Sequence, residues 1–293
     1  MIVAIASGKG GTGKTTVAAS LSRVWERPLV AVDLDVEAPN LHLFLRPVIE
    51  ESSAAWIETP VVDESRCNFC LACSDLCQFK AISVMGSVVL TFQEMCHGCG
   101  GCIAVCPQKA ISPGRRELGQ IGWGRAGNTQ FLMGRLRIGE AMSPPLMRQV
   151  KSRLKDIIEA TGRDAIVDAP PGVSCPAVNA VMGSDVIVLV TEPTPFGFHD
   201  FKLAWEAFSP LGKPMGVVIN RAGVGDRKIY SFCAEMHIPI LSEVPYERSA
   251  AEGYARGRIV ADLSPEFRNI FVSLSLKIFE LAAGSRVLEA THA

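Results

Sequence analysis

The chain has 293 residues, 48% of them hydrophobic, and a formal net charge of −1. This size allows one large domain or two ordinary ones, and the near-neutral charge gives no argument for binding nucleic acid. No apolar run approaches the roughly 20 residues that span a bilayer. The N-terminus begins as an apolar strand and not as a charged leader. We therefore expect a cytoplasmic protein with no signal peptide and no membrane anchor.

The first motif is a glycine-rich turn between a strand and a helix. The apolar run Ile2–Ala6 predicts a strand, and Thr15–Trp25 predicts a helix. Glycines let the backbone N–H groups of such a turn approach a phosphate. Lys14 would reach the β- and γ-phosphates, and the Thr15 hydroxyl would hold Mg²⁺. The alternative is a glycine-rich turn without a ligand. The predicted nucleotide-binding residues are Gly8, Lys9, Gly10, Gly11, Thr12, Gly13, Lys14, Thr15 and Thr16.

Lys9 is a second lysine inside this turn. The pattern Lys-Gly-Gly-x-Gly-Lys-Thr resembles the deviant Walker A family of P-loop ATPases, which includes MinD, ParA, the Mrp carriers and the nitrogenase iron protein. The resemblance implies ATP hydrolysis, with Lys9 and Lys14 both catalytic. It also implies an ATP-dependent homodimer, or a heterodimer with a paralogue, in which Lys9 reaches the partner's nucleotide. The alternative is that Lys9 is a solvated loop lysine.

Carboxylates follow two predicted strands, where ligands gather in open α/β sheets. Asp33 ends the predicted strand Leu29–Asp33 and is followed by Asp35, and Asp168 ends the run that begins at Asp164. By resemblance, Asp35 positions or deprotonates the attacking water, and Asp33 lies in the outer shell of Mg²⁺. A strand-capping role for one of this pair is the alternative. Asp168 would hold Mg²⁺ through a water.

The resemblance also supplies the remaining nucleotide contacts. Gly172 would sense the γ-phosphate, and Asn220, followed by Arg221, would read the adenine amino group. Pro245 and Tyr246 would pack beside the base.

The cysteines form an internal repeat. The spacing C-x₂-C-x₂-C-x₃-C occurs twice with an offset of 29 residues. This is the spacing of a bacterial ferredoxin with two [4Fe–4S] clusters, in which the fourth cysteine of each run serves the other cluster. Zinc is the alternative, but its sites rarely use this loop. The first predicted set is Cys67, Cys70, Cys73 and Cys106, and the second is Cys96, Cys99, Cys102 and Cys77.

Two further cysteines lie outside the repeat. Cys175 falls where the nitrogenase iron protein has a cluster ligand, so a bridging cluster at a dimer axis is one hypothesis. No cysteine matches the second ligand, and a buried free thiol is the preferred interpretation. Cys233 is interpreted as structural, and His97 as a solvent-facing loop residue.

Strands alternating with helices predict an α/β fold with a mostly parallel, doubly wound sheet. The resemblance of the cysteine repeat to a bacterial ferredoxin implies that a small α+β ferredoxin-like domain is inserted into it. The expected domains are residues 1–57 and 114–293 for the ATPase and 58–113 for the insert. A hairpin is predicted from Glu117–Trp123 and Thr129–Leu136, and a closing helix over 265–283.

Three functions stay open. The favoured hypothesis is an ATP-gated electron carrier or redox-responsive dimeric ATPase that acts on an unidentified redox or cluster-accepting protein. The alternatives are an iron–sulfur assembly carrier like Mrp and a regulatory positioning ATPase like MinD or ParA.

Overall fold

The structure is a computed structural model that describes the backbone of residues 1–291 and the side chains through residue 284. Two compact units divide the chain. The first comprises residues 1–52, 121–135 and 147 onward, and the second comprises residues 53–120 and 136–146.

Eleven strands and ten helices lie in the described part of the chain. The strands are β1 (Ile2–Ala6), β2 (Leu29–Asp33), β3 (Val48–Val62), β4 (Ile82–Met85), β5 (Val88–Thr91), β6 (Ile111–Ala126), β7 (Thr129–Leu136), β8 (Asp164–Asp168), β9 (Val186–Thr191), β10 (Met215–Ala222) and β11 (Ile240–Pro245). The helices are α1 (Lys14–Val24), α2 (Leu41–Leu45), α3 (Ala72–Leu76), α4 (Gly101–Val105), α5 (Ser143–Thr161), α6 (Cys175–Val181), α7 (Pro195–Phe208), α8 (Lys228–Glu235), α9 (Arg248–Ala255) and α10 (Pro265–Thr291).

Nine strands form one sheet in the order β11-β10-β9-β1-β8-β2-β7-β6-β3. Every pairing from β11 across to β7 is parallel. Five central strands are buried along most of their length, as the continuous apolar runs predict for strands covered on both faces. The mostly parallel α/β sheet is therefore confirmed.

The core of the first unit lies between this sheet and two helices. Alternate residues of β1, such as Val3 and Ile5, share one apolar cluster with Leu21 of α1 and with Phe267 and Phe271 of α10. This packing fixes α1 behind the turn that follows β1. The turn is therefore held at the carboxyl end of a central strand, where ligands bind in open α/β sheets.

The second unit is built around the cysteine repeat. The short helices α3 and α4 contact each other, and β4 pairs with β5 in an antiparallel two-stranded sheet. A small core contains Cys73, Ile82, Val89 and Ile111.

The predicted hairpin forms as β6 and β7, but β6 begins at Ile111, six residues before the predicted start. The strand β3 was not predicted at all. Residues 48–54 are exposed and alternation with buried side chains begins only at Ala55, so the sequence lacks the period that identifies a half-buried strand.

Helix α10 continues to Thr291, whereas the predicted helix ends at residue 283. No helix among the described residues is long and apolar enough to cross a membrane. The sequence after residue 283 also lacks the basic amphipathic pattern of a membrane anchor, but almost all of its side chains lie outside those described.

Candidate functional site

The turn between β1 and α1 needs glycine at two positions for different steric reasons. A Cβ at Gly8 would lie 1.9 Å from the backbone oxygen of Asp200 in α7, so the turn and this helix approach as closely as glycine permits. Gly13 has φ of 100°, and a Cβ there would lie 2.2 Å from Nδ2 of Asn220. That amide donates a 2.8 Å hydrogen bond to the carbonyl of Thr12. Asn220 thereby supports the turn, and its contact with adenine stays a prediction.

Lys14 is buried within this turn. Its Nζ donates to Oγ of Ser7 at 2.8 Å and to the carbonyl of Lys9 at 3.3 Å. Burial lowers the pKa of Lys14, while the charges of Asp168 and Asp35 oppose that change. The turn therefore holds a buried ammonium group, and a cation beside a glycine-rich turn at the start of a helix suits an anion site. Ser7 was missed from the sequence, although it directly precedes the glycine-rich run.

Lys9 is ion-paired within its own chain. Its Nζ lies 2.5 Å from Oε1 of Glu192, whose other oxygen accepts a 2.7 Å bond from Arg221. The side chain of Glu192 is 7% exposed and that of Lys9 is 28% exposed. Lys9 is therefore not a solvated loop lysine. Sequence analysis also missed Glu192, whose position directly after β9 matches that of carboxylates after other strands.

A second cluster surrounds Asp168 at the end of β8. The Thr15 hydroxyl donates to Oδ2 of Asp168 at 2.6 Å and lies 2.8 Å from Oδ1 of Asn40. Burial raises the pKa of Asp168 to about 7, and the Thr15 bond and the charge of Lys14 oppose that rise. Its Oδ1 is buried and has no hydrogen-bond partner among the described residues. A hydroxyl beside an unsatisfied carboxylate oxygen suits Mg²⁺, which prefers oxygen ligands and retains several waters.

Asp33 and Asp35 differ in their surroundings. Oδ2 of Asp33 accepts 2.9 Å bonds from the backbone N–H groups of Asn40 and Leu41, and its Oδ1 accepts one from Asp35 at 3.1 Å. Burial and the charge of Asp168 raise the pKa of Asp33 well above its usual range. These bonds satisfy amides at the start of α2, and the expected place of Asp33 in the outer shell of Mg²⁺ stays a prediction. Asp35 is partly buried, and burial raises its pKa.

The remaining predicted nucleotide residues lie in loops that follow strands. Gly172 donates its N–H to the carbonyl of Ser7 at 3.0 Å and has φ of 93°. Tyr246 follows Pro245 at the end of β11, and its side chain is 57% exposed. Their proposed contacts with phosphate and base stay predictions.

The two cysteine runs have matching backbones. Phe69 and Leu71 have positive φ in the first run, and Gly98 and Gly100 have it at the matching positions of the second. This conformation turns N–H groups toward sulfur in both runs. The amides of Phe69, Gly98, Ala81 and Ala110 donate to Cys67, Cys96, Cys77 and Cys106 at 3.3–3.4 Å. Such donors stabilise thiolates and the sulfurs of iron–sulfur clusters.

Two cavities separate the cysteines into two sets of four. One is lined by Cys67, Cys70, Cys73 and Cys106, and the other by Cys77, Cys96, Cys99 and Cys102. No group of three or more histidine, cysteine, aspartate or glutamate side chains in the described part of the chain is spaced to hold a single metal ion.

All ten cysteines are free thiols. The preferred interpretation of Cys175 as a buried thiol is wrong, because Cys175 is exposed. It is the first residue of α6, directly after a loop whose residues are mostly exposed. Cys233 is buried, consistent with a structural role. His97 is exposed, as expected, and stacks on Phe79 with ring centroids 3.4 Å apart.

A glycine-rich turn leads from a parallel sheet into α1, and the buried side chains of Lys14 and Asp168 lie beside it. These features define a P-loop nucleotide-binding protein of the ATPase class. Residues 3–260 match the family model described as the CobQ/CobB/MinD/ParA nucleotide binding domain, and the chain belongs to this family.

Relatives extend over most of the chain. Two uncharacterized proteins of Methanocaldococcus jannaschii are 30% and 32% identical over 268 and 248 residues, covering 88% and 84% of this chain and 90% and 86% of theirs. Among solved structures, the septum site-determining protein MinD of Pyrococcus horikoshii, complexed with Mg-ADP, has a TM-score of 0.61 at 21% identity and 96% coverage of both chains. That similarity shows the fold.

Two similarities are partial. The pyruvate synthase subunit PorD of Thermotoga maritima is 34% identical over 64 residues, which are 21% of this chain and 65% of PorD. A protein of the ion-translocating oxidoreductase complex of Methanosarcina acetivorans is 41% identical over 54 residues, or 18% of this chain and 20% of that protein.

Proposed function

We propose that this P-loop ATPase is an ATP-gated electron carrier that binds two [4Fe–4S] clusters within a ferredoxin-like insert at residues 58–113. The observation that carries the proposal is the pair of cavities, each lined by one of the two cysteine sets that the spacing predicts. Partial similarity to components of two oxidoreductases supports a redox role.

The cysteine surroundings suit clusters. Each cavity has four thiols, and two sulfurs of each set accept backbone N–H bonds at matching positions of the repeat. Each cluster would supply one-electron redox chemistry, and the chain's part is to hold it and surround it with donors. Eight ligands in two closed sets favour resident clusters over a labile cargo.

The ATP site would use the residues around the turn. Lys14 would bind the phosphates, and Thr15 would hold Mg²⁺, with Asp168 holding it through a water. Asp35 would orient or deprotonate the attacking water, and its partial burial leaves it accessible from solvent. Charge neutralisation and positioning account for most catalysis of phosphoryl transfer. Gly172 would respond to the γ-phosphate.

Lys9 would act in an ATP-dependent dimer, reaching the nucleotide of the partner subunit. The partner would be a second copy or a paralogue. Because Lys9 is paired with Glu192 within one chain, it would exchange this bond for a phosphate when the dimer forms. Asn220, Arg221, Pro245 and Tyr246 would surround the base.

The test is anaerobic purification followed by iron and sulfide analysis and assays of acceptor reduction. We expect about eight irons per chain and reduction of a low-potential acceptor protein that requires ATP. Lys14→Ala should retain the iron and lose acceptor reduction together with ATP binding. Cys70→Ser and Cys99→Ser are matched variants of the two sets, and each should alter only its own cluster.

About four irons per chain, or acceptor reduction that is indifferent to ATP, would contradict the proposal. Clusters that are stripped by a chelator and delivered to an apo-protein would instead favour an assembly carrier.

A further inference from the structure

One cavity is lined by a residue whose hydroxyl is buried and has no partner among the described protein groups. Thr59 in β3 is 1% exposed and lines the cavity of Cys77, Cys96, Cys99 and Cys102. Its Oγ1 has no hydrogen-bond partner among the described residues. Buried hydroxyls are normally paired, since an unpaired one loses its bonds to water without replacement. A hydroxyl kept in this position therefore points to an acceptor that the protein itself does not provide.

The backbone holds Thr59 against the cysteine set. The carbonyl of Glu58 lies 3.8 Å from Sγ of Cys96, which places the preceding residue in contact with one thiol. Gly114 on the neighbouring strand β6 lets the two strands approach, because a Cβ there would lie 2.5 Å from Cγ2 of Val61 and 3.3 Å from the carbonyl of Thr59. Thr59 is thus fixed at the cavity wall by close strand packing.

The cavity of Cys67, Cys70, Cys73 and Cys106 has no equivalent group. None of the described residues that line it carries a hydroxyl, and its walls include the apolar side chains of Val89 and Ile111. Its side-chain amides, Asn68 and Gln108, are exposed to solvent, where water competes for their hydrogen bonds. The repeat gives both sets the same backbone donors, so the buried hydroxyl of Thr59 distinguishes one site from the other.

We propose that the Thr59 hydroxyl donates a hydrogen bond to a sulfur of the cluster held by Cys77, Cys96, Cys99 and Cys102, and thereby raises its reduction potential. The inference rests on the proposed function. A reduced cluster carries one more negative charge than the oxidised one, so a donor to its sulfur stabilises the reduced state more strongly. Thr59 would thereby favour placing an incoming electron on this cluster.

The experiment is an EPR-monitored redox titration of the intact chain, with dithionite as the source of one electron per cluster. Thr59→Val removes the hydroxyl and preserves the shape, while Thr59→Ser keeps the hydroxyl. Signals are assigned with Cys99→Ser and Cys70→Ser, which perturb one set each.

Thr59→Val should lower the reduction equilibrium constant of the Cys99-containing set about tenfold, which is ~59 mV for a one-electron couple. The Cys70-containing set should not move, and Thr59→Ser should stay close to the unmodified chain. If Thr59→Val does not retain both clusters, Thr59→Ala serves as a second removal of the hydroxyl.

Three results would overturn the inference while leaving the proposed function intact. The first is that Thr59→Val binds both clusters and changes neither reduction potential. The second is that Thr59→Ser shifts the potential as much as Thr59→Val does. The third is that only the potential of the Cys70-containing set shifts. A chain that binds no clusters when purified without oxygen would overturn the proposed function, and this inference with it.

Discussion

The ion pair between Lys9 and Glu192 predicts the effect of Glu192→Gln on dimer formation. Nζ of Lys9 is held 2.5 Å from Glu192, so Lys9 must leave this bond before it can reach a partner's nucleotide. Glutamine has the same shape and removes the charge. Glu192→Gln should therefore tighten ATP-dependent dimerisation.

The size of the effect follows from the surroundings of the bond. A hydrogen bond to a charged group contributes about 1.5–3 kcal/mol, and a neutral one about 0.5–1.5 kcal/mol. Glu192 is buried but also shared with Arg221, and Lys9 is 28% exposed, so we take a difference of about 1 kcal/mol per subunit. Two subunits give ~2 kcal/mol per dimer, or about thirtyfold in Kd.

The assay is analytical ultracentrifugation with ATP in an Asp35→Ala background, which should slow hydrolysis. Glu26→Gln, at an exposed position, controls for loss of a negative charge. Unchanged or weaker dimerisation in Glu192→Gln would refute the reasoning. So would a gain that persists after Lys9→Ala is added, because the effect must act through the released lysine.

Three other predictions concern the same unit. Lys14→Ala should abolish ATP binding in calorimetry, since its buried ammonium is the cation held inside the turn, and retained binding would contradict this role. Gly8→Ala should destabilise the chain by about 1–3 kcal/mol in denaturant unfolding because its Cβ would meet a backbone oxygen at 1.9 Å. Gly10→Ala, where a Cβ meets nothing within 4 Å, should change stability by less than about 0.5 kcal/mol, and equal losses would refute the steric argument. In the cluster-loaded native protein, a maleimide should label Cys175, which is exposed, and spare Cys233, whose pKa is raised to about 11 by burial. Mass spectrometry that finds Cys233 labelled and Cys175 unlabelled would refute this prediction.

Sequence patterns predicted the elements whose residues signal their own environment. The apolar runs of β1, β2 and β8 are buried strands with the predicted bounds, because strands covered on both faces need continuous apolar sequence. The strand β3 escaped prediction, since half of it has no buried face. Helix α10 extends beyond its predicted end at residue 283. Gly284 lies inside the helix, because one glycine lowers helix propensity without ending a helix.

The sequence by itself determined the glycine-rich turn, the carboxylates after two strands and the two cysteine runs. Each of these features depends on the spacing of residues that are close in sequence, or on the repeat of one short pattern. Such spacing fixes the local backbone geometry whatever the position of the segment in the fold. The pairing of the fourth cysteine with the opposite set also followed from the repeat, and each cavity is lined by one such set.

Only the tertiary structure decided which distant groups meet. Glu192 lies 183 positions from Lys9 in the sequence, and no local pattern relates them; they meet because the sheet places β9 next to β1. The exposure of Cys175 depends on where the preceding loop lies. The surroundings of Asp33 depend on the start of α2, whose backbone N–H groups donate hydrogen bonds to its carboxylate. The unpaired hydroxyl of Thr59 is likewise recognisable only in three dimensions, because a missing hydrogen-bond partner is a property of everything packed around an atom.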